Sequence, residues 1–169
     1  ETRKATRNRL HVVPVRWHKK KDGTVFPVEI TASIFNYRGK EVHIASIRDI
    51  TERMRVEEEL RKRSEAIEAS MDGIAILDHH QTYIYVNEAH AKIYGYARPE
   101  DLLGKTWHIL YDKDELAVFE KEIMPTFMQT GKWRGESAGM KKDGSKFLQE
   151  VSLTALKDGG LVCVVRDIT

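Results

Sequence analysis

The sequence predicts an α+β fold in which a five-stranded antiparallel sheet with helices on one face follows a three-stranded sheet and a single helix. Three observations predict it. The tetrapeptide "KKDG" occurs at 20–23 and again at 141–144, each time between segments that read as strands. The tetrapeptide "RDIT" occurs at 48–51 and again at 166–169. Between the two copies, residues 52–71 contain neither glycine nor proline, which favours a helix.

Turn signals divide the first part of the chain into three strands. An Asp-Gly pair at 22–23 is a strong hairpin signal, and an Arg-Gly pair marks a second turn at 38–39. Pro14 and Pro27 interrupt two of the strands, so each proline should stand at an edge or at a bulge. The predicted strands are residues 11–19, 24–35 and 41–49.

The helix predicted over 52–71 is rich in Glu, Arg, Leu and Ala, and Thr51 precedes it as a candidate N-cap. Four apolar residues form a narrow stripe on this helix, flanked by charge. The stripe suits either a short coiled-coil seam between two copies of the chain or one amphipathic helix lying on its own domain. Both alternatives stay open. The stripe consists of Val56, Leu60, Ile67 and Met71.

Residues 72–169 read as two strands, several small helices, one longer helix and three further strands. Asn87 is well placed as the N-cap of the first small helix, which Gly95 ends. The longer helix begins at Asp112 and ends at Gly131. The predicted strands are residues 73–78, 82–86, 132–142, 145–157 and 161–169.

The composition, 41% hydrophobic and 32% charged, is typical of a globular protein, and no run of about 18 apolar residues could span a membrane. We expect a cytoplasmic location and no membrane contact by this part of the protein. The chain begins at Glu1 rather than methionine, so we interpret it as a piece of a longer protein. A membrane anchor upstream stays compatible with the sequence. Cys163 is the single cysteine, which rules out an intramolecular disulfide and a cysteine-based metal cluster.

The first 21 residues are strongly basic, with eight basic side chains against the single acid Glu1. An arm of this kind could contact nucleic acid or acidic lipid. We favour the alternative of a solvated arm, so no nucleic-acid partner is expected. The basic residues are Arg3, Lys4, Arg7, Arg9, Arg16, Lys19, Lys20 and Lys21.

Motifs of enzyme chemistry are missing from the sequence. It contains no P-loop, no glycine-rich nucleotide fingerprint, no "HExxH" and no "GxSxG". His79 and His80 are adjacent in a turn without an evident third ligand, so no metal site is predicted. We therefore expect a non-catalytic chain.

The order of elements, together with four motifs, resembles the PAS (Per-Arnt-Sim) family of sensor domains. The resemblance covers 72–169 as a complete domain and 1–51 as the last three strands of another, with 52–71 as the linker helix. The motifs are "VNEAHAKIYGY" at 86–96, "EDLLGKTW" at 100–107, "KKDGSKF" at 141–147 and "RDIT" at 166–169.

The resemblance implies a sensory and dimerisation module of a signal-transduction protein, such as a sensor histidine kinase of a two-component system. A change in the complete domain would shift its last strand and re-aim a helix that leads to a downstream effector domain. The alternative is a structural spacer or partner-binding module without a small-molecule ligand. Asp49 is expected to cap the linker helix. The implied junction residues are Arg48, Asp49 and Thr51, and in the second copy Arg166, Asp167 and Thr169.

Two cofactor classes of the family can be compared with this sequence. Trp107 occupies the position of the reactive cysteine of flavin-binding light sensors, so no flavin adduct is expected. The helix at 112–131 has no histidine to bind a haem iron, and His108 just upstream is interpreted as structural. We predict no cofactor and leave open an unknown small molecule.

Large apolar residues should lie between the sheet and the helices. They suit a flat or aromatic ligand, or they simply fill the core, and Trp107 favours a filled core. The pocket candidates are Ile93, Trp107, Phe119, Ile123, Trp133, Phe147 and Val164.

In the family's sheet order the final strand lies in the middle, beside the first strand of the domain. Residues 1–51 lack that first strand, so the strand at 41–49 should present an unpaired edge and its hairpin an apolar face. We therefore expect a homodimer formed by the linker helices and the partial first domains of two chains. The apolar face should include Val25, Ile30, Ile34 and Val42.

Overall fold

The computed structural model describes residues 9–169, with side chains described from residue 13 onward. The chain divides into two compact units after Lys62. The basic arm predicted in 1–21 therefore falls partly outside the described residues. No helix in the described part of the chain is long and apolar enough to cross a membrane.

The first unit contains a three-stranded antiparallel sheet in the order β1-β2-β3. Its β1–β2 register shifts between Val13 and Arg16, which places the predicted bulge at Pro14. Pro27 pairs with Trp17, and the β2–β3 ladder starts one residue later, so the missing N–H of this proline costs no bond to β3. The strands are β1 (Arg9–Lys19), β2 (Val25–Tyr37) and β3 (Lys40–Asp49).

β3 lies at an edge of this sheet, and within residues 9–169 it pairs with β2 alone. Its Ile44 and Ile47 are 53% and 56% exposed, and Val25 on β2 is 57% exposed. The other residues named for the apolar face, Ile30, Ile34 and Val42, are half-buried. These residues do not share one face, because Val42 stands opposite Phe35, and Phe35 and Ile34 are consecutive residues of β2 that point to opposite faces. The prediction of a single apolar face is therefore wrong, and exposed apolar side chains lie on both faces of the sheet.

Helix α1 (Thr51–Glu68) follows β3 and ends earlier than the sequence predicts. The Ile67 carbonyl accepts from the amide of Ser70 and from the side-chain amide of Asn87, which closes the last turn. The apolar stripe is exposed, but Met71 lies beyond the end of the helix and is 95% exposed.

Asp49, rather than Thr51, provides the side-chain cap at the start of α1. Thr51 is the first helical residue, and its hydroxyl donates to Asp49 Oδ1 over 2.6 Å. The Thr51 amide donates to the same oxygen over 2.9 Å. The predicted N-cap role of Thr51 is therefore wrong, because its hydroxyl serves as a donor to the carboxylate two residues earlier. These hydrogen bonds lower the pKa of Asp49.

The second unit contains a five-stranded antiparallel sheet in the order β5-β4-β8-β7-β6. This order places the last strand in the middle of the sheet, between the first strand of the unit and β7, which confirms the predicted α+β fold. The strands are β4 (Gly73–Leu77), β5 (Tyr83–Val86), β6 (Lys132–Met140), β7 (Lys146–Ala155) and β8 (Leu161–Asp167).

The predicted long helix over 112–131 is present as a continuous helical run from Lys113 to Thr130, which a π-helical turn divides into three segments. Pro125 has no N–H to donate to the residue four positions earlier, so a regular α-helical ladder cannot run through it. A wider π-helical turn precedes it at Phe119–Ile123, and Gly131 ends the last segment with φ of 71°. The helices are α2 (Glu88–Ile93), α3 (Lys113–Val118) and α4 (Met124–Thr130), with 3₁₀ turns at Pro99–Asp101 and Trp107–Leu110.

Replacing Asp49 with Ala should loosen the first turn of α1, because the Thr51 amide loses its acceptor. We expect the Thr51 and Met54 amides to exchange hydrogen about fivefold faster, the usual size of a lost cap. Asp22→Ala is the matched control, since Asp22 accepts from the Thr24 amide in a hairpin turn of the same unit. Unchanged exchange at Thr51 in Asp49→Ala would show that the carboxylate does not cap the helix.

Candidate functional site

A small cavity lies inside the second unit, between the sheet and the helices. Its volume is about 30 Å³ and its wall is mostly aromatic and aliphatic. The sheet contributes residues of β4, β5, β7 and β8, and the opposite wall comes from the α2 to α4 region. The lining residues are Leu77, Tyr83, Tyr94, Trp107, Tyr111, Phe119, Met124, Leu153, Leu161 and Cys163.

Two of the seven predicted pocket residues, Trp107 and Phe119, line this cavity. Ile123 and Phe147 are buried in the same hydrophobic core, while Ile93 and Trp133 are partly buried and pack against it. The assignment of Val164 to the pocket is wrong. Side chains alternate across β8, so Leu161, Cys163 and Val165 face the core and Val164 lies on the outer face.

Sequence analysis did not predict three tyrosines of the cavity wall, Tyr83, Tyr94 and Tyr111, or Leu153 on β7. For Leu153, strand alternation provides a signal. Leu153 shares the face of Phe147 on β7, because the two are six residues apart and side chains repeat every second residue. The same rule fails on "LVCVV", where both faces are apolar and the pattern does not tell one from the other. The sequence alone therefore does not distinguish Val164 from Cys163 as the residue that faces the core.

A buried amide ties the wall of the cavity together. Gln149 on β7 is fully buried, and its Oε1 accepts from the hydroxyl of Tyr94 over 2.7 Å. Its Nε2 lies 3.0 Å from the hydroxyl of Tyr111 and 3.1 Å from that of Ser137. These bonds satisfy a polar group that would otherwise destabilise the core. They also fix the two tyrosine rings against the cavity.

Trp107 closes the cavity from the helical side. Its indole N–H donates to Oε1 of Gln81 over 2.8 Å, and its ring centroid lies 5.1 Å from that of Phe119. His108 stacks on it at 4.3 Å. The ring is 9% exposed, so it forms part of the packed wall.

Cys163 contributes a thiol to the cavity wall, but not a nucleophile. Burial raises the pKa of this thiol to about 12. A thiol with that pKa stays protonated near neutral pH, and the thiolate is the reactive form. Cys163 therefore acts as a small apolar side chain at this position.

The side chain of Asn87 connects four segments of the second unit. Its Oδ1 accepts from the amides of Ile74 on β4 and His90 on α2, over 2.8 and 2.9 Å. Its Nδ2 donates to the carbonyls of Ile67 and Asp72, over 3.0 and 3.1 Å. Asn87 is fully buried, and both functional groups of the amide are satisfied. The predicted N-cap is present, and it also holds the end of α1.

His90 lies beside this connection, with no room around it. It is fully buried, and neither ring nitrogen has a hydrogen-bond partner among the described residues. Tyr83 and Tyr94 surround the ring at centroid distances of 5.6 and 4.9 Å. A Cβ on Gly73 would lie 2.8 Å from the Cα of His90, so β4 and α2 can approach this closely only at a glycine. Burial lowers the pKa of His90 to about 4.

The two "RDIT" junctions share one local geometry. Asp167 Oδ1 accepts from the Thr169 amide over 3.0 Å, just as Asp49 accepts from Thr51. In both sheets the arginine of the motif stands opposite a glutamate of the neighbouring strand. Arg48 is in register with Glu29, and Arg166 with Glu150.

His90 should make the second unit sensitive to acid. It is neutral in both states above pH 6.5, so its contribution is constant there. Between pH 6.5 and about 4 only the unfolded chain takes up the proton, and the free energy of unfolding falls by up to about 3 kcal/mol. His90→Phe should remove this part of the pH dependence in urea unfolding at pH 7.5 and pH 5. His79→Gln, at an exposed position, is the control. Equal pH dependence in His90→Phe and the parent protein would contradict the assignment.

The PAS domain family model matches residues 12–52 and 71–169. Sporulation kinase A of Bacillus subtilis (strain 168) is 30% identical over 99 residues. The aligned region covers 56% of this chain and 16% of that kinase, so the chain corresponds to a small part of its relative.

Solved structures of PAS domains share the fold. The PAS domain of a protein from Colwellia psychrerythraea has a TM-score of 0.60 and 25% identity, covering 65% of this chain and 97% of that chain. The PAS domain of a LuxR-family transcriptional regulator from Burkholderia thailandensis, solved in complex with ethanol, has a TM-score of 0.56. It is 21% identical, covering 62% of this chain and 96% of that chain. With its repeated motifs, its sheet order and these matches, the chain belongs to the PAS domain family.

Proposed function

We propose that this chain is a non-catalytic sensory module of a signal-transduction protein. In this proposal the second unit responds to occupancy of its cavity and passes the response through the "RDIT" junction to a downstream effector. A histidine kinase as the effector, as in a two-component system, is supported by the kinase relative and by the fold shared with a PAS domain of a two-component sensor histidine kinase.

The observation that carries the proposal is the position of β8. Leu161 and Cys163 on its inner face line the cavity, and Arg166 and Asp167 stand at its other end. One strand of seven residues thus joins the cavity to the junction. Because β8 pairs on both sides, with β4 and β7, it cannot shift without moving the centre of the sheet. A change of a few kcal/mol in relative ligand affinity is enough to shift such an equilibrium.

The cavity selects a ligand by size. About 30 Å³ is far below the 300 to 1,000 Å³ typical of drug-sized ligand sites, but it exceeds the space that one water needs. We infer that the ligand has only a few non-hydrogen atoms and is mainly apolar. The related regulator domain in complex with ethanol supports a molecule of that class.

The second candidate function is a structural spacer that binds no ligand. It is favoured by the small volume of the cavity and by Trp107, which occupies space that a larger ligand would need. Dimerisation through α1 and the first unit stays a prediction. It is supported by the exposure of Leu60 at 58% and Val56 at 44% on α1, and of Ile47 at 56% on β3.

Ethanol titration followed by amide NMR shifts separates the sensor from the spacer. For a sensor we expect saturable shifts at Leu161 and Cys163 that continue along β8 to Asp167 and Ile168. Cys163→Val adds about one methyl group to the cavity wall and should abolish the shifts without changing the fold.

Val164→Ile is the matched control, because it adds one methyl group on the outer face of the same strand. It should leave the ethanol response intact. Shifts that never saturate, or that persist in Cys163→Val, would favour the spacer.

A further inference from the structure

We propose that Asp72 and Arg166 form a latch that couples the end of α1 directly to the end of β8. The latch would pass a displacement of α1 to residues 166–169, which we call the exit of the domain, even while the cavity is empty. Only the role of the exit in signalling rests on the proposed function. The coupling between α1 and β8 can be measured without any ligand.

The contact is a two-point ion pair between residues 94 positions apart in the sequence. Arg166 Nε donates to Asp72 Oδ1 over 2.8 Å, and Arg166 Nη2 donates to Asp72 Oδ2 over 2.7 Å. This fork fixes the angle as well as the distance between the two side chains. Arg166 also lowers the pKa of the Asp72 carboxyl, mainly through these hydrogen bonds.

Asp72 is held to the last turn of α1. Its carbonyl and that of Ile67 both accept from the Asn87 side chain, and its amide donates to the Ser70 hydroxyl over 3.1 Å. Tyr85 adds a hydrogen bond of 2.5 Å to the carboxylate of Glu68. The Asp72 carboxylate therefore follows the position of the helix end.

Arg166 is held at the exit. It stands in register with Glu150 on β7, and Glu150 forms a second fork with Arg134 on β6, at 3.0 Å for each bond. Charges of opposite sign therefore alternate across the outer face of the sheet, in the order Asp72, Arg166, Glu150 and Arg134. These four side chains surround a hollow that Val164 and Ser152 also line. Asp167 follows Arg166 immediately and Thr169 lies two residues further on, so a displacement of the guanidinium would reach the exit without passing through the core.

An isolated exposed ion pair contributes little to stability, and the Asp72 and Arg166 side chains are 28% and 58% exposed. The latch does not need to be strong. It needs to make the two ends open together, and that coupling is reciprocal: loosening either end must loosen the other.

Hydrogen exchange at two amides reads out the two ends. The Ala69 amide donates to the Glu65 carbonyl at the end of α1, and the Ile168 amide donates to the Leu148 carbonyl at the exit. Ala66→Gly weakens the last turn of α1 at an exposed position. We expect it to speed exchange at Ala69 about fivefold and also to speed exchange at Ile168 at least twofold.

The same Ala66→Gly change is then made in Arg166→Gln and in Asp72→Asn. In both backgrounds its effect at Ile168 should disappear, while its effect at Ala69 remains. The charge-reversed pair, Asp72→Arg with Arg166→Asp, should restore the effect at Ile168. Arg48→Gln is the matched control, since Arg48 holds the same motif position in the first unit, and it should leave the coupling unchanged.

A response at Ile168 that survives in Arg166→Gln would overturn the latch, as would no response at Ile168 in the parent protein. Failure of ethanol to bind leaves this result unaffected, because no ligand is used. The proposed sensor and the latch can therefore fail separately.

Discussion

The buried amide of Asn87 is the interaction on which the rest of the second unit depends. It makes two acceptor and two donor contacts at once, so β4, α2, the segment at Asp72 and the end of α1 meet at one side chain. A buried primary amide is costly unless its groups are paired, and here each is paired with backbone. The need to hydrogen-bond the buried amide of Asn87 thus fixes the relative positions of four chain segments.

From that point we propose two routes to the end of β8. One runs through the core, where Gln149 orients two tyrosines around the cavity and β8 carries the inner wall to the junction. The other runs over the outer face of the sheet through Asp72 and Arg166. β8 belongs to both routes, because its inner residues are apolar and its final outer residue is a cation. In the proposed function and the proposed latch, the alternation of this single strand separates a ligand-dependent route from a helix-dependent one.

Much of this fold could be predicted from the sequence because its signals are local. Asp-Gly turns, the repeated tetrapeptides and the N-cap at Asn87 each depend on residues close in the chain. The sequence does not predict the π-helical turn inside the helix over 112–131, although Pro125 is a local signal, because the wider turn accommodates the proline without ending the helical path. Val164 was misplaced because both faces of β8 are apolar.

The contacts that matter most for the site could not be predicted, since they join distant residues. Spacing and composition do not predict the hydrogen bonds that Asn87 donates to the carbonyls of Ile67 and Asp72. They do not predict the ion pair of Asp72 with Arg166 either. A single sequence also does not show which tyrosines turn inward. Tyr83 and Tyr85 are two residues apart and would share a face in a regular strand, but a register shift between them leaves only Tyr83 lining the cavity.

The role of Asn87 is tested by amide hydrogen exchange in Asn87→Asp compared with Asn87→Ala. The aspartate keeps the acceptor for Ile74 and His90 but has no donor for Ile67 and Asp72. We expect faster exchange at Ala69 in both variants, and faster exchange at Ile74 and His90 mainly in the alanine variant. Unchanged exchange at Ala69 in both variants would show that Asn87 does not hold the end of α1.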